Sequence, residues 1–287
     1  MHEIIEFRSH YISNYKNTYL FVNENKMLLK KLGEEKYNEI PRRNIRSALL
    51  LDEKKAFIKQ TNGHYYLWDY LNNAILANIP LKSPSTFSPI FVEEALIDFC
   101  FLSPNRQIVC IDTKTNDISY FKYSNMGKTN VLSYDIVDKK VVVIDSDNKL
   151  TYLDIHNSEY LKEYILVRNE NFDILDYYNY GENKFIITFN RYGELVSENI
   201  LSHYQYTFSP SYKDKGIEGI SISSDGRYLA IRTVSNLVLL YSLESFEMIK
   251  SFNYRYCYYV GFSQDNERLL IGTGEASYLF KISEFQK

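Results

Sequence analysis

Five histidines, His2, His10, His64, His156 and His203, are the side chains of this sequence best suited to ligating a metal or moving a proton. They lie far apart, and none has a second histidine or a clustered carboxylate at ligand spacing, so no metal site is expected. His64 ends the stretch TNGH, Thr61 to His64, which reads as a tight hairpin turn with Asn62 and Gly63 accepting positive φ. The three cysteines, Cys100, Cys110 and Cys257, are odd in number and show no CxxC spacing. Free, buried thiols are expected, rather than a disulfide framework or a thiolate zinc site. There is no GxSxG nucleophile elbow, glycine-rich phosphate loop or HExxH helix, and 11 glycines leave little material for one. Adjacent Glu93 and Glu94 would point to opposite faces of a strand, which makes them solvated charges and not an acid and base pair.

A chain of 287 residues, 45% apolar and 24% charged, can bury a substantial core and does not have a disordered composition. Basic residues (33) and acidic residues (36) are well mixed, so no field favours the phosphates of nucleic acid. The start, MHEIIEFRSHYISNYK, lacks the layout of a secretory signal. No apolar run approaches the roughly 20 residues that span a bilayer. The expectation is a cytoplasmic, monomeric protein that binds neither nucleic acid nor membrane. Its richness in Asn, Lys, Ile and Tyr codons points to an AT-rich genome, bacterial or phage.

An internal repeat organises the chain. From Gly216 it reads GIEGISISSDGRYLAIRTVSNLVLLYSLESFEMIKSF, and from Tyr256 YCYYVGFSQDNERLLIGTGEASYLFKI. Each has a strand, a turn at SSDG or SQDN, a second strand, another turn, and a third strand ending in an aromatic. The frame continues upstream from Leu96, Val131 and Phe172, and from Ile45, where the third strand carries the only tryptophan, Trp68, followed by Asp69.

A turn like SPDG, two further strands and a terminal Trp-Asp resemble the WD-repeat β-propeller family, in which each repeat builds most of one four-stranded blade. The turn is matched by Ser223 to Gly226 and Ser103 to Arg106, and Trp-Asp by Trp68 and Asp69. Phe121, Tyr241 and Phe280 stand in for the third-strand aromatic elsewhere, and the family's Gly-His pair is missing. Runs such as VVVID, FIITF, LVLLY and RLLIG suit strands buried on both faces. The 27 tyrosines and 17 phenylalanines suit wedges between twisted sheets, with tyrosine hydroxyls at a wet rim.

At about 40 to 45 residues per repeat the length predicts seven four-stranded antiparallel blades in one all-β domain over residues 1–287, with six or eight as alternatives. Third strands are placed near Lys26, Tyr65, Asp117, Lys149, Glu194, Asn236 and Ala276. The last repeat lacks an outer strand, and the isolated apolar stretch His2 to Phe7 is expected to supply it and close the ring. Extra length between the second and third of these repeats lies in IPLKSPSTFSPIFVEEA, with Pro80, Pro84 and Pro89. It reads as a surface insertion or an adaptable partner-binding loop exposing Phe87, Ile90 and Phe91.

Two functions fit this architecture. The first is a non-enzymatic protein-binding module without cofactor, a scaffold or an inhibitor or immunity-type protein, that presents one loop face to another protein. The resemblance places the entries to the first strands on that face: Asn44 and Arg46, Asp98, Asn130, Asn171 and Asp173, Glu218, and Tyr256 and Tyr258. Arg46, Tyr256 and Tyr258 are the expected anchors, with Asn44, Glu218, Phe87 and Phe91 beside them. The alternative is a lactonase or hydrolase-type enzyme whose axial site would use Asp98, Asp173 and Glu218.

Overall fold

The computed structural model describes residues 3–41, 44–82, 90–92, 95–102, 105–112, 114–115, 117–122, 129–135, 137–138, 140–145, 149–154, 159–165, 172–190, 194–208 and 216–285. Their strands are β1 (Glu3–Ile5), then β2 to β5 (Tyr11–Tyr15, Thr18–Val22, Lys26–Lys31, Tyr37–Pro41) and β6 to β9 (Ile45–Leu50, Lys55–Gln60, His64–Asp69, Ala74–Lys82). β10 to β13 follow (Ile90–Val92, Ala95–Leu102, Asn105–Asp112, Ile118–Lys122), then β14 to β17 (Thr129–Asp135, Lys140–Asp145, Lys149–Asp154, Glu159–Ile165). The chain continues with β18 to β21 (Phe172–Tyr180, Asn183–Asn190, Leu195–Asn199, Gln205–Phe208) and β22 to β25 (Ile217–Ile222, Tyr228–Thr233, Leu237–Ser242, Met248–Asn253). It ends with β26 to β28 (Cys257–Phe262, Arg268–Thr273, Ser277–Lys281).

These strands pair into four-stranded antiparallel sheets. Six of them are blades of the repeat type, with the first strand at one edge and the third flanked by an outer strand: β2–β5, β6–β9, β14–β17, β18–β21, β22–β25 and β26–β28 with β1. Among the described residues there are six such blades, not the expected seven, because the sheet over residues 90–122 has a different order. Its leading strand is the three-residue β10, supplied by the insertion, and among the described residues β13, the third strand of the repeat, ends the sheet. The physical reason is chain length: residues 123–128 alone separate β13 from β14, too few for an outer strand and its two turns. Phe91 is correspondingly no loop residue in its backbone, since it pairs with Leu96. Pro80 falls in β9, the outer strand of its blade, where a missing N–H is tolerated.

Strands buried on both faces explain the continuous apolar runs. In β27, Leu269 and Ile271 pack against Ala230, Val238 and Leu240 of the preceding blade, while Leu270 packs against Ile12, Phe21 and Leu28 of the following one. In β3, Leu20 and Val22 face Ala48, Leu50 and Trp68, and Tyr19 and Phe21 turn the other way. Each such leucine is worth about 1.5–3 kcal/mol of burial, so the stack of sheets is held by its period-two side chains rather than by any one blade. Several tyrosine hydroxyls are not at a wet rim: Tyr177 bonds Asp135, and Tyr178 lies 2.7 Å from Ser197 Oγ, all buried. Cys257 is a free, buried thiol whose burial raises its pKa to about 11; the Cys100 and Cys110 side chains lie outside the described residues.

β1 pairs with β28, Glu3 against Leu279 and Ile5 against Ser277, and so completes the carboxy-terminal sheet. His2 lies outside the described residues, and the strand ends at Ile5 rather than Phe7. Gly272 is required beside this closure, because a side chain there would run into the Ser9 carbonyl. Among the described residues no helix is long and apolar enough to cross a membrane.

Candidate partner-binding face

The first strands of five sheets, β6, β14, β18, β22 and β26, share an irregularity. Ile45 pairs with Gln60 and Ser47 with Lys59, which leaves Arg46 unpaired in a β-bulge. The same break leaves Asn130 unpaired in β14, Leu175 in β18, Glu218 in β22 and Tyr258 in β26. A bulge takes its extra residue out of the up-and-down alternation and re-aims the side chain. In β6 and β26 the regular part of the strand stays paired while Arg46 and Tyr258 leave the alternation.

Two residues before three of these bulges the backbone is held in the same way. The carbonyl of Asn44 accepts from Thr61 N–H at 2.8 Å, that of Gly216 from Val234 at 3.0 Å and that of Tyr256 from Gly274 at 2.8 Å. Asn44 and Tyr256 take φ of 60° and 56°, a left-handed conformation that asparagine tolerates and tyrosine adopts at a cost. Tyr256 is 50% exposed and Tyr258 39%, and both flank Gly274.

Arg46 and Tyr258, predicted from separate repeats, meet in one cavity of about 410 Å³ with Arg8, His10, Ile45 and Thr61. The Arg8 guanidinium sits 5.2 Å from the Tyr258 ring centre. His10 Nε2 lies 3.2 Å from the Arg46 carbonyl, and burial lowers the His10 pKa, so the ring is neutral at pH 7. Arg255 lies 5.0 Å from the Tyr256 ring.

The remaining expected residues are distributed differently. Asn44 acts through its backbone, donating to the Glu24 carbonyl at 3.1 Å. Glu218 is exposed but is ion-paired with Arg232, which also donates to the Cys257 carbonyl at 3.0 Å. Phe87 lies outside the described residues, as does the Phe91 side chain. For the enzymatic alternative, Asp98 and Asp173 fall on β11 and β18 with side chains outside the described residues, and the third acid, Glu218, faces a guanidinium rather than a second carboxylate. Among the described residues no three His, Cys, Asp or Glu side chains are grouped to hold a metal. In the TNGH turn only Gly63 has positive φ, 84°, and Asn62 instead accepts from the His64 N–H at 3.1 Å. Trp68 and Asp69 are structural: the indole N–H donates to Asn73, and Asp69 caps the turn to Asn72.

Arg8 and His10 were not singled out for this face from the sequence. The signal is their place in the chain, since Arg8 and His10 lead into β2, the first strand of its blade, as Asn44 leads into β6.

No family model matches the chain, and no curated protein matches it. Solved structures do. A chain in the crystal structure of the mitotic checkpoint complex superposes with a TM-score of 0.69 at 10% identity, over 98% of this chain and 91% of that one. The β-propeller domain of Myceliophteria thermophila Cps50 (Swd1) gives 0.72 at 9% identity, over 98% and 100%. At such identities the likeness is one of fold, a β-propeller.

Proposed function

We propose that this protein is a non-enzymatic binding module, a monomeric cytoplasmic scaffold or inhibitor, that docks another protein on the face carrying Arg46, Glu218, Tyr256 and Tyr258. The observation that carries this reading is the bulge common to β6 and β26, whose extra residues Arg46 and Tyr258 line one cavity beside the half-exposed Tyr256. Arginine and tyrosine are the side chains that most often anchor interfaces, because a ring or a planar guanidinium covers much area at little entropic cost. Further support comes from a fold neighbour that was crystallised within a multi-protein complex.

The test compares the parent with the Arg46→Ala, Tyr256→Ala, Tyr258→Ala triple variant in affinity capture from the native cell. A stoichiometric protein held by the parent is expected to bind the variant at least about tenfold more weakly at unchanged melting temperature. Affinity within about threefold of the parent would put the partner on another face.

A further inference from the structure

We infer that the cavity formed by the segment before β2, the turn between β3 and β4 and the starts of β6 and β26 receives the carboxylate side chains of an acidic peptide segment of the partner. The inference rests on the binding face proposed above and assigns its ligand chemistry. Its charged lining consists of Arg8, Lys26 and Arg46 against one carboxylate, Glu24. Lys26 is already engaged by Glu39 at 2.8 Å, outside the cavity. Among the described residues neither Arg8 nor Arg46 has a carboxylate partner, so two guanidiniums face Glu24 alone. His10 adds no positive charge, because its burial keeps it neutral and its Nε2 is turned to the Arg46 carbonyl.

Excess positive charge in a concave site of a chain whose net charge is −3 is a local feature, and it selects an anionic group by complementarity. Guanidinium forks match a carboxylate in two parallel hydrogen bonds, which a lysine cannot copy. Arg8 is held in advance by the Tyr258 ring, so less freedom is lost when it binds. Buried Ile45 and the Tyr258 ring give the lining an apolar part against which the methylenes of glutamate can lie.

The experiment is fluorescence anisotropy of the full chain with a short fluorescein-labelled peptide of alternating glutamate and glycine. Matched peptides carry glutamine or phosphoserine in place of glutamate. The parent is expected to bind the glutamate peptide at least about tenfold tighter than the glutamine peptide, with the preference reduced by high salt. The Arg8→Gln, Arg46→Gln variant should lose the preference, and the Arg8→Lys, Arg46→Lys variant should retain part of it. Equal binding of the two peptides by the parent overturns the inference, as does a preference that survives in a stably folded glutamine variant. Phosphoserine bound more than about tenfold tighter than glutamate also overturns it, reassigning the cavity to phosphate. Should the glutamine variant unfold, the parent's peptide preference and its salt dependence still decide. Loss of partner capture in the triple alanine variant without any glutamate preference would leave the face standing and remove only its chemistry.

Discussion

Ser277 Oγ donates a 2.7 Å hydrogen bond to the carbonyl of Phe7, from the opposite end of the chain, in a fully buried setting. Its one proton is thereby used, so Ser9 Oγ, 2.6 Å away, donates to it in turn. With the β1 and β28 pairing, these bonds tie the two termini together. Deleting residues 1–7 should cost several kcal/mol, bare the edge of β28 and promote aggregation. Ser277→Ala, which leaves the Phe7 carbonyl buried and unmatched, should cost about 1–3 kcal/mol. Thermal melts and size-exclusion chromatography read both. A truncated protein that stays monomeric and melts like the parent would show that the amino-terminal strand does not hold the ring.

The turns that marked the repeat in the sequence also lock neighbouring blades. Gly226 of SSDG has φ of 69°, and a Cβ there would overlap the backbone carbonyl of Asn179 in β18. Gly181 has φ of 58° with nothing near its absent side chain. Gly181→Ala should therefore cost only the left-handed backbone penalty of about 1 kcal/mol, and Gly226→Ala about 3 kcal/mol or more, since backbone cannot yield as a flexible side chain does. Urea unfolding of the two variants side by side checks this. Equal losses would mean that the turn does not abut β18.

What was legible in the sequence follows from what repeats. The phase of LVLLY and RLLIG, buried on both faces, set the strands, and that same phase placed Arg46 and Tyr258 at equivalent positions. The bulges were illegible, because they are a mismatch between two strands and no residue type announces them. The sheet over residues 90–122 departs from the expectation for a related reason: the strand runs are there, but among the described residues no outer strand follows β13 and the insertion supplies β10 beside β11. Buried charge was also hidden. Asp135 sits among polar neighbours that read as a surface turn, and only the packing of β14 against β18 and β19 shows it to be enclosed.

That enclosure makes Asp135 a source of acid sensitivity. Its Oδ1 accepts from the Val137 and Asp138 N–H groups at 2.9 Å each and from Asn179 Nδ2 at 3.1 Å. Its Oδ2 accepts from Tyr177 at 2.5 Å and Lys184 at 2.8 Å. Burial alone would raise its pKa, but the bonds from Lys184 and Tyr177 outweigh it and hold the pKa below the usual carboxylate value. A depressed folded pKa means stability that is complete above the unfolded value, near 4, and lost as pH falls through the folded one. Lys184 also pairs with Asp138, so Asp135→Asn leaves the ammonium one carboxylate. The substitution should cost about 1–3 kcal/mol at neutral pH, through the charged acceptor that Tyr177, Asn179 and the turn N–H groups lose. The variant should lose less further stability than the parent below about pH 4. Unfolding curves at both pH values test it; parallel losses in parent and variant would remove Asp135 from the acid response.

Asp176 works in the opposite sense. It follows the bulged Leu175 in β18, and among the described residues its carboxylate accepts only from the Tyr177 N–H, at 2.8 Å. Burial raises its pKa to about 7, against which that single bond is a minor offset. Because the folded pKa lies above the unfolded one, its contribution is fully present below about pH 4 and is lost as pH rises toward 7, where the folded chain must carry a poorly solvated charge. Asp176→Asn keeps the shape and removes the charge. The variant should match the parent near pH 4 and exceed it near pH 7 by on the order of 2 kcal/mol, with part of the full shift discounted because the side chain keeps some solvent contact. Urea midpoints across this range give the comparison. A variant no more stable than the parent at pH 7, with the same slope between the two pH values, would mean that water reaches this carboxylate freely and that β18 does not enclose it.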